Sequence, residues 1–129
     1  LIAAEKRGVD VEILLEGGEF TVSVLPADVN PFVISNFGFQ SSRVADKWPN
    51  VPHEIVSDLP VLKDAAAWYR LRILDSRDLG THVLFYCEVL EAVTGEKEPL
   101  VYADYQKSMK PLATASFMEF KKTGVSPVL

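Results

Sequence analysis

Two histidines, one cysteine and a serine–arginine–lysine cluster are the side chains in this 129-residue sequence whose types could do chemistry. His82 follows Gly80-Thr81 at the mouth of a long apolar strand, where a polar group can reach a ligand. The competing reading is a histidine that closes a strand end with nothing bound. Ser41, Ser42, Arg43 and Lys47 read, from residue types alone, as a solvated surface helix or turn. His53 sits beside Glu54 in a proline-flanked loop. Cys87 lies mid-strand between Phe85 and Val89 and reads as a buried structural thiol, since nothing nearby would lower its pKa. Two histidines and one cysteine at these separations give no metal-ligand spacing, so no metal site is expected. There is no glycine-rich phosphate loop and no Gly-x-Ser-x-Gly.

The stretch that must position His82 is Gly80–Tyr105. After the turn glycine, Val83–Val93 is apolar and rich in β-branched and aromatic residues. Gly95-Glu96-Lys97 breaks it, and Leu100–Tyr105 follows. This predicts a β-hairpin with a loop longer than two residues and Leu100–Tyr105 as its second strand. Val83, Phe85, Cys87 and Val89 point one way, and Leu84, Tyr86, Glu88 and Leu90 the other. Both sets are mostly apolar, which suggests a closed barrel whose outer wall meets a helix or a second subunit.

The other elements follow from local signals. Leu1–Ala4 reads as the end of a strand. Asp10 looks like a helix N-cap, with Ile13 and Leu14 on the apolar stripe and Gly17-Gly18 ending the helix. Glu19–Leu25 alternates, with Phe20, Val22 and Val24 on one face and Thr21 and Ser23 on the other. Asn30-Pro31 starts a second helix that buries Phe32, Val33, Ile34 and Phe37 and ends at Gly38. Trp48 to Pro60 reads as a loop-rich connection. Ala65–Asp75 is a strand in its second half, with Arg70 and Arg72 on a wet or charged face. The tail from Lys107 is expected to pack Phe117, Met118 and Phe120 back onto the barrel and to fray from Lys121, so that residues 121–129 form a frayed tail.

Composition bounds the class. The length suits a single domain, 1–129, with its own core. Apolar content of 48% and charged content of 24% are ordinary for a globular chain. A net charge of −5 argues against a nucleic-acid surface. No run reaches the ~18 apolar residues of a membrane span, and no secretory pattern opens the chain. The lone cysteine fits a reducing cytoplasm.

Several of these segments together resemble the FMN-binding split-barrel flavin reductases, in particular the small members that act as NAD(P)H:rubredoxin oxidoreductases or flavoredoxins. The resemblance rests on Glu19–Leu25, Phe37-Gly38, Ser41-Ser42-Arg43 with Asp46-Lys47-Trp48, Leu62 to Tyr69, Gly80-Thr81-His82 with Phe85 and Glu88-Val89, and Pro99-Leu100 with Tyr102 to Tyr105. Thr81 stands where the family usually has Asp, and Cys87 where it has Gly. The resemblance implies a mainly β, Greek-key-like split barrel with short helices, working as a homodimer with FMN at the subunit interface and NAD(P)H as co-substrate. It implies that Lys47 faces the FMN phosphate with Ser42 and Arg43 nearby, a lysine being a point-charge partner for phosphate. It places His82, next to Thr81, beside the flavin and the incoming nicotinamide.

The family's opening strands have no counterpart before Leu1. Asp10 replaces a threonine that meets the phosphate at a helix N-terminus. The implied activity is electron transfer from NAD(P)H to free flavin, a rubredoxin or another acceptor. Asp10, Thr81, Cys87 and the short N-terminus favour the alternative, a catalytically silent split-barrel dimer used for binding or regulation. A barrel holding haem or pyridoxal phosphate is a third option.

Overall fold

The computed structural model describes residues 1–5, 15 and 18–129. The helix expected from Asp10 lies outside the described residues. Among the described residues six strands and two longer helices carry the fold: β1 Ile2–Glu5, β2 Glu19–Val24, α1 Pro31–Gly38, β3 His53–Val56, β4 Leu59–Leu62, β5 Ala67–Asp78, β6 His82–Thr94 and α2 Lys110–Thr123. Four strands form an antiparallel sheet in the order β1-β6-β5-β2, and β3 and β4 form a separate two-stranded ribbon. The sheet curls into half a barrel.

The predicted hairpin is replaced by a longer one. The partner of β6 is β5, with Asp78 opposite Val83 at the tip and Ala67 opposite Thr94 at the base. Asp78 Oδ1 accepts from the Gly80 amide at 2.8 Å, and Gly80 takes φ +97°, which a glycine adopts without steric cost. Leu100–Tyr105 is not a strand. Pro99, which has no N–H to give a ladder, makes one bridge with Pro26, and Leu100 N donates to Leu25 O at 2.8 Å. The chain then turns helical at Tyr102–Asp104, continues through a π-helical turn at Tyr105–Met109, and runs into α2.

Two bulges shape the β5–β6 ribbon. The pairing slips by one residue between Arg70 and Leu71 and slips back between Ile73 and Asp75. Leu90 is therefore surplus on β6 and Leu74 on β5. Each extra residue bends its strand and strengthens the local right-handed twist. On the inner face Val83 and Phe85 are buried, with Ile2, Ala4, Ile73 and Cys87 packed around them. On the opposite face Arg70 and Arg72 face Glu19, Glu88 and Glu91 at 2.7–3.9 Å, as the charged face expected for β5 requires. Among the described residues the sheet is open: β1 and β2 are its two edges, so the closed barrel expected from two apolar faces is not formed within them.

The β2 edge is covered without a ladder. Thr21 Oγ1 donates to Pro60 O at 2.6 Å, and Leu62 N donates to Ser23 Oγ at 3.1 Å. Two hydroxyls on alternate positions thus tie β4 to β2. The β3–β4 ribbon occupies the stretch expected to be loop. Its turn residues Ser57 and Asp58 have φ 50° and 65°, the double left-handed geometry of a tight hairpin turn.

Asn30 caps α1 as predicted: Asn30 Oδ1 accepts from Phe32 N at 2.9 Å, and Pro31 opens the helix. Phe32 and Val33 join Val51 in a second core, on which Phe117, Phe120 and Val128 pack. Phe32 and Phe120 meet edge-to-face at 5.1 Å. The tail expected to fray from Lys121 is instead helical to Thr123, where Gly124 at φ 71° caps it. Ser126 Oγ then donates to Asn50 O at 2.7 Å, which anchors the last residues beside α1. No helix among the described residues is long and apolar enough to cross a membrane.

Candidate functional site

Helix α1 has two working faces. Phe32, Val33, Ser35 and Asn36 are buried, whereas Ile34 and Phe37, one helical turn apart, border a groove. The outer face of β2 supplies Thr21 and Ser23 to it, β4 supplies Leu62, and Trp48 closes one side. The groove encloses about 420 Å³, within the range of small-molecule sites. Phe37 and Trp48 meet edge-to-face at 4.8 Å. His53 lies 5.6 Å from Trp48, and its Nδ1 is 2.9 Å from Val51 O. A carbonyl only accepts, so Nδ1 carries the proton and a neutral ring leaves Nε2 as acceptor. A flat apolar slot with hydroxyls along one wall suits a planar, weakly polar ligand.

A second cavity of about 310 Å³ adjoins the first, sharing Leu25 and Ile34 with it and ending on Leu100, Tyr102 and Tyr105. A third, about 340 Å³, lies behind Leu25, Val33 and Leu62, with Asp28, Lys63, Asp64 and Lys97 among its lining. Lys97 and Asp28 pair there at 3.5 Å.

Of the residues singled out from sequence, Ser42, Arg43 and Lys47 share the segment that leads into Trp48. Ser42 and Arg43 are exposed, in a turn closed by Val44 N and Ala45 N donating to Ser41 O. Arg43 N donates to Ser41 Oγ at 3.1 Å. Lys47 differs: it is only 9% exposed, and its Nζ donates to Phe37 O at 2.7 Å. The ammonium sits on the carbonyl end of α1, where the helix dipole favours a cation. Asn36, fully buried, donates to Lys47 O and accepts from Gln40 and Asn50, each at 3.0 Å.

Thr81 and His82 occupy the other end of the molecule. Thr81 Oγ1 lies 2.9 Å from His82 Nδ1, and His82 pairs with Glu5 across the sheet. Thr21 pairs with Arg70, which faces Glu91. The stretch of β6 from His82 to Glu91 therefore lies between His82 and the groove, on the order of 30 Å of strand at ~3.3 Å per residue. Neither His82 nor Lys47 lines any of the three cavities described above. Asp10 lies outside the described residues. Cys87 packs on the inner core, and burial pushes its thiol up from the ordinary value. Among the described residues no cluster of His, Cys, Asp and Glu could hold a metal ion.

Sequence reasoning missed the groove itself. Its signal was present in the polar alternate positions Thr21 and Ser23 and in Ile34 and Phe37 one turn apart, but the β4 strand that completes it was read as loop.

Residues 1–111 match the profile of the flavin reductase like domain family. A high molecular weight rubredoxin of Moorella thermoacetica is 31% identical over 109 residues, covering 82% of this chain and 48% of its own length. A ferric-chelate reductase (NAD(P)H) of Archaeoglobus fulgidus is 33% identical over 112 residues, covering 82% of this chain and 66% of its own. The crystal structure of an FMN-binding protein from Thermus thermophilus with bound 1-cyclohex-2-enone superposes with a TM-score of 0.65 at 26% identity, covering 72% of this chain and 52% of that one. The chain thus spans about half to two thirds of the length of these relatives.

Proposed function

Since this chain belongs to the flavin reductase-like family, we propose that it is the flavin-holding domain of an NAD(P)H-dependent flavin oxidoreductase, with FMN as cofactor and a free flavin, a rubredoxin or another acceptor receiving the electrons. The observation that carries the reading is the family match over residues 1–111, joined by one-third identity to an NAD(P)H-dependent reductase.

The groove's volume and its apolar lining with two hydroxyls support a site for the cofactor's ring. When bound, FMN supplies the hydride acceptance and the onward electron transfer. The chain's own residues do the rest. Ile34, Phe37 and Trp48 offer apolar surface to a planar ring. Thr21 and Ser23 offer the ring's polar edge hydroxyls already oriented by their bonds to β4. Ser42 and Arg43, in the turn before Trp48, are the candidates for the phosphate, and Lys47 adds a positive charge just behind them.

His82 does not line the groove within one chain, so the proposal includes a homodimer in which the partner subunit brings its own histidine to the ring. Tyr86 and Val93 stand exposed on the outer face of β6, on either side of Glu88 and Glu91, and the surplus Leu74 is exposed on β5, apolar side chains that a second copy would cover. The lone Cys87 suits a cytoplasmic location.

A second reading, a scaffold of this fold without redox chemistry, is favoured by one observation: the Lys47 ammonium is engaged by Phe37 O. Titration with FMN separates the two. The flavin reading expects a yellow complex with an altered absorption spectrum, a raised melting temperature and NADH or NADPH oxidation. A colourless protein with no FMN-induced thermal shift sinks it in favour of the scaffold.

A further inference from the structure

Leu25 and Ile34 line both the groove beside α1 and the second cavity, so the two are neighbours, with Trp48 on the first and Tyr102 and Tyr105 on the second. The two tyrosine rings lie 5.9 Å apart at 40°. Tyr102 is 70% exposed, so one face of its ring is open to a ligand. Gln106 Nε2 donates to the Tyr102 hydroxyl and fixes the phenol in place. Directly at Tyr105 the helix widens into a π-helical turn, Tyr105–Met109, before returning to α-helical pitch in α2. Such turns are rare and occur often at functional sites.

We propose that the Tyr102–Tyr105 cavity is a second ring subsite, which takes a planar heteroaromatic ring of the nicotinamide dinucleotide. This rests on the flavin reading above. The cavity there, about 310 Å³, suits one ring system and its sugar rather than a whole dinucleotide. Stacking on tyrosine faces needs no base-specific hydrogen bond, because every such ring presents a π-face. Leu25 and Ile34 stand between this subsite and the groove at Trp48, so the two ends of one dinucleotide would lie on either side of them. Adenine and nicotinamide share this chemistry, and the test tells them apart.

The test uses the full chain and two double variants, Tyr102→Ala with Tyr105→Ala and Tyr102→Phe with Tyr105→Phe. FMN affinity is read from flavin fluorescence, and NAD⁺ affinity of the FMN-loaded protein by calorimetry. The alanine pair is expected to weaken NAD⁺ at least tenfold while FMN affinity stays within twofold and the circular dichroism spectrum stays wild-type; the phenylalanine pair is expected to bind NAD⁺ within threefold of wild type. AMP competing with NAD⁺ assigns the subsite to adenine, and nicotinamide mononucleotide competing assigns it to nicotinamide. The proposal is overturned if the alanine pair binds NAD⁺ as wild type does, if the phenylalanine pair loses it equally, or if neither mononucleotide competes. FMN binding without any NAD⁺ binding overturns this subsite alone; failure of the wild-type chain to bind FMN overturns the flavin reading with it.

Discussion

Lys47 and Phe37 are joined by a 2.7 Å hydrogen bond from the ammonium to the backbone carbonyl, which ends α1 with a buried positive charge. This bond decides what the lysine does for the fold, whatever it does for a ligand. Lys47→Met keeps the aliphatic stem and removes the donor. Folding stability is expected to fall by about 1–3 kcal/mol, the range for a hydrogen bond to a charged group, read as a lower urea midpoint at unchanged slope. A variant as stable as wild type would show that the carbonyl end of α1 gains nothing from the charge.

Thr21 and Ser23 hold β4 against β2 in place of a ladder. Ser23→Ala leaves the Leu62 amide without its acceptor, which should cost about 1–2 kcal/mol. The amide of Leu62 should also exchange with solvent faster, while amides of the β5–β6 ribbon keep their protection. Equal acceleration throughout the sheet would mean that β4 is not an independently attached element.

Much of this architecture was legible along the chain, and the failures have physical causes. The alternation in Glu19–Leu25 and the Asn30-Pro31 start each gave the correct element, because cap, proline and period-two pattern are local. The β3–β4 ribbon was not legible, because Ser57-Asp58 adopts a left-handed turn that Asn-Gly would have announced. Leu100–Tyr105 has the composition of a strand, yet Pro99 leaves it nothing to pair with beyond one bridge. The docking of Phe117 and Phe120 was legible, but the helix that carries them and its run past Lys121 to Thr123 were not, because lysines and a proline mask the helical period. The site was legible only as a set of family-like residues. Their separation between the hairpin tip and the α1 end depends on sheet register, which no single segment encodes.

Burial pushes the Cys87 thiol up from its ordinary value. Less thiolate is then present at pH 8 than in an ordinary cysteine, so alkylation by iodoacetamide should be slower in the native chain than in urea. The sign for stability follows. The fold favours the protonated thiol, so this contribution is fully present below the ordinary thiol range and is lost as pH climbs through the higher folded value. Native alkylation at the unfolded rate would contradict it.

Tyr86 lies on the exposed wall of β6 with Val93. Tyr86→Glu should convert a dimer to a monomer in light scattering at micromolar concentration and leave the far-ultraviolet spectrum unchanged. If the wild-type chain is itself monomeric, the pairing that would carry His82 to a neighbouring groove is excluded.

The two surplus leucines have an outcome that no side-chain exchange can imitate. Because Leu74 and Leu90 bend the ribbon by being there rather than by what they are, trimming them to alanine should leave the arc intact. Excising either one would let its strand run straight, unrolling the wall around Phe85 as a barrel stave does when its hoop is cut.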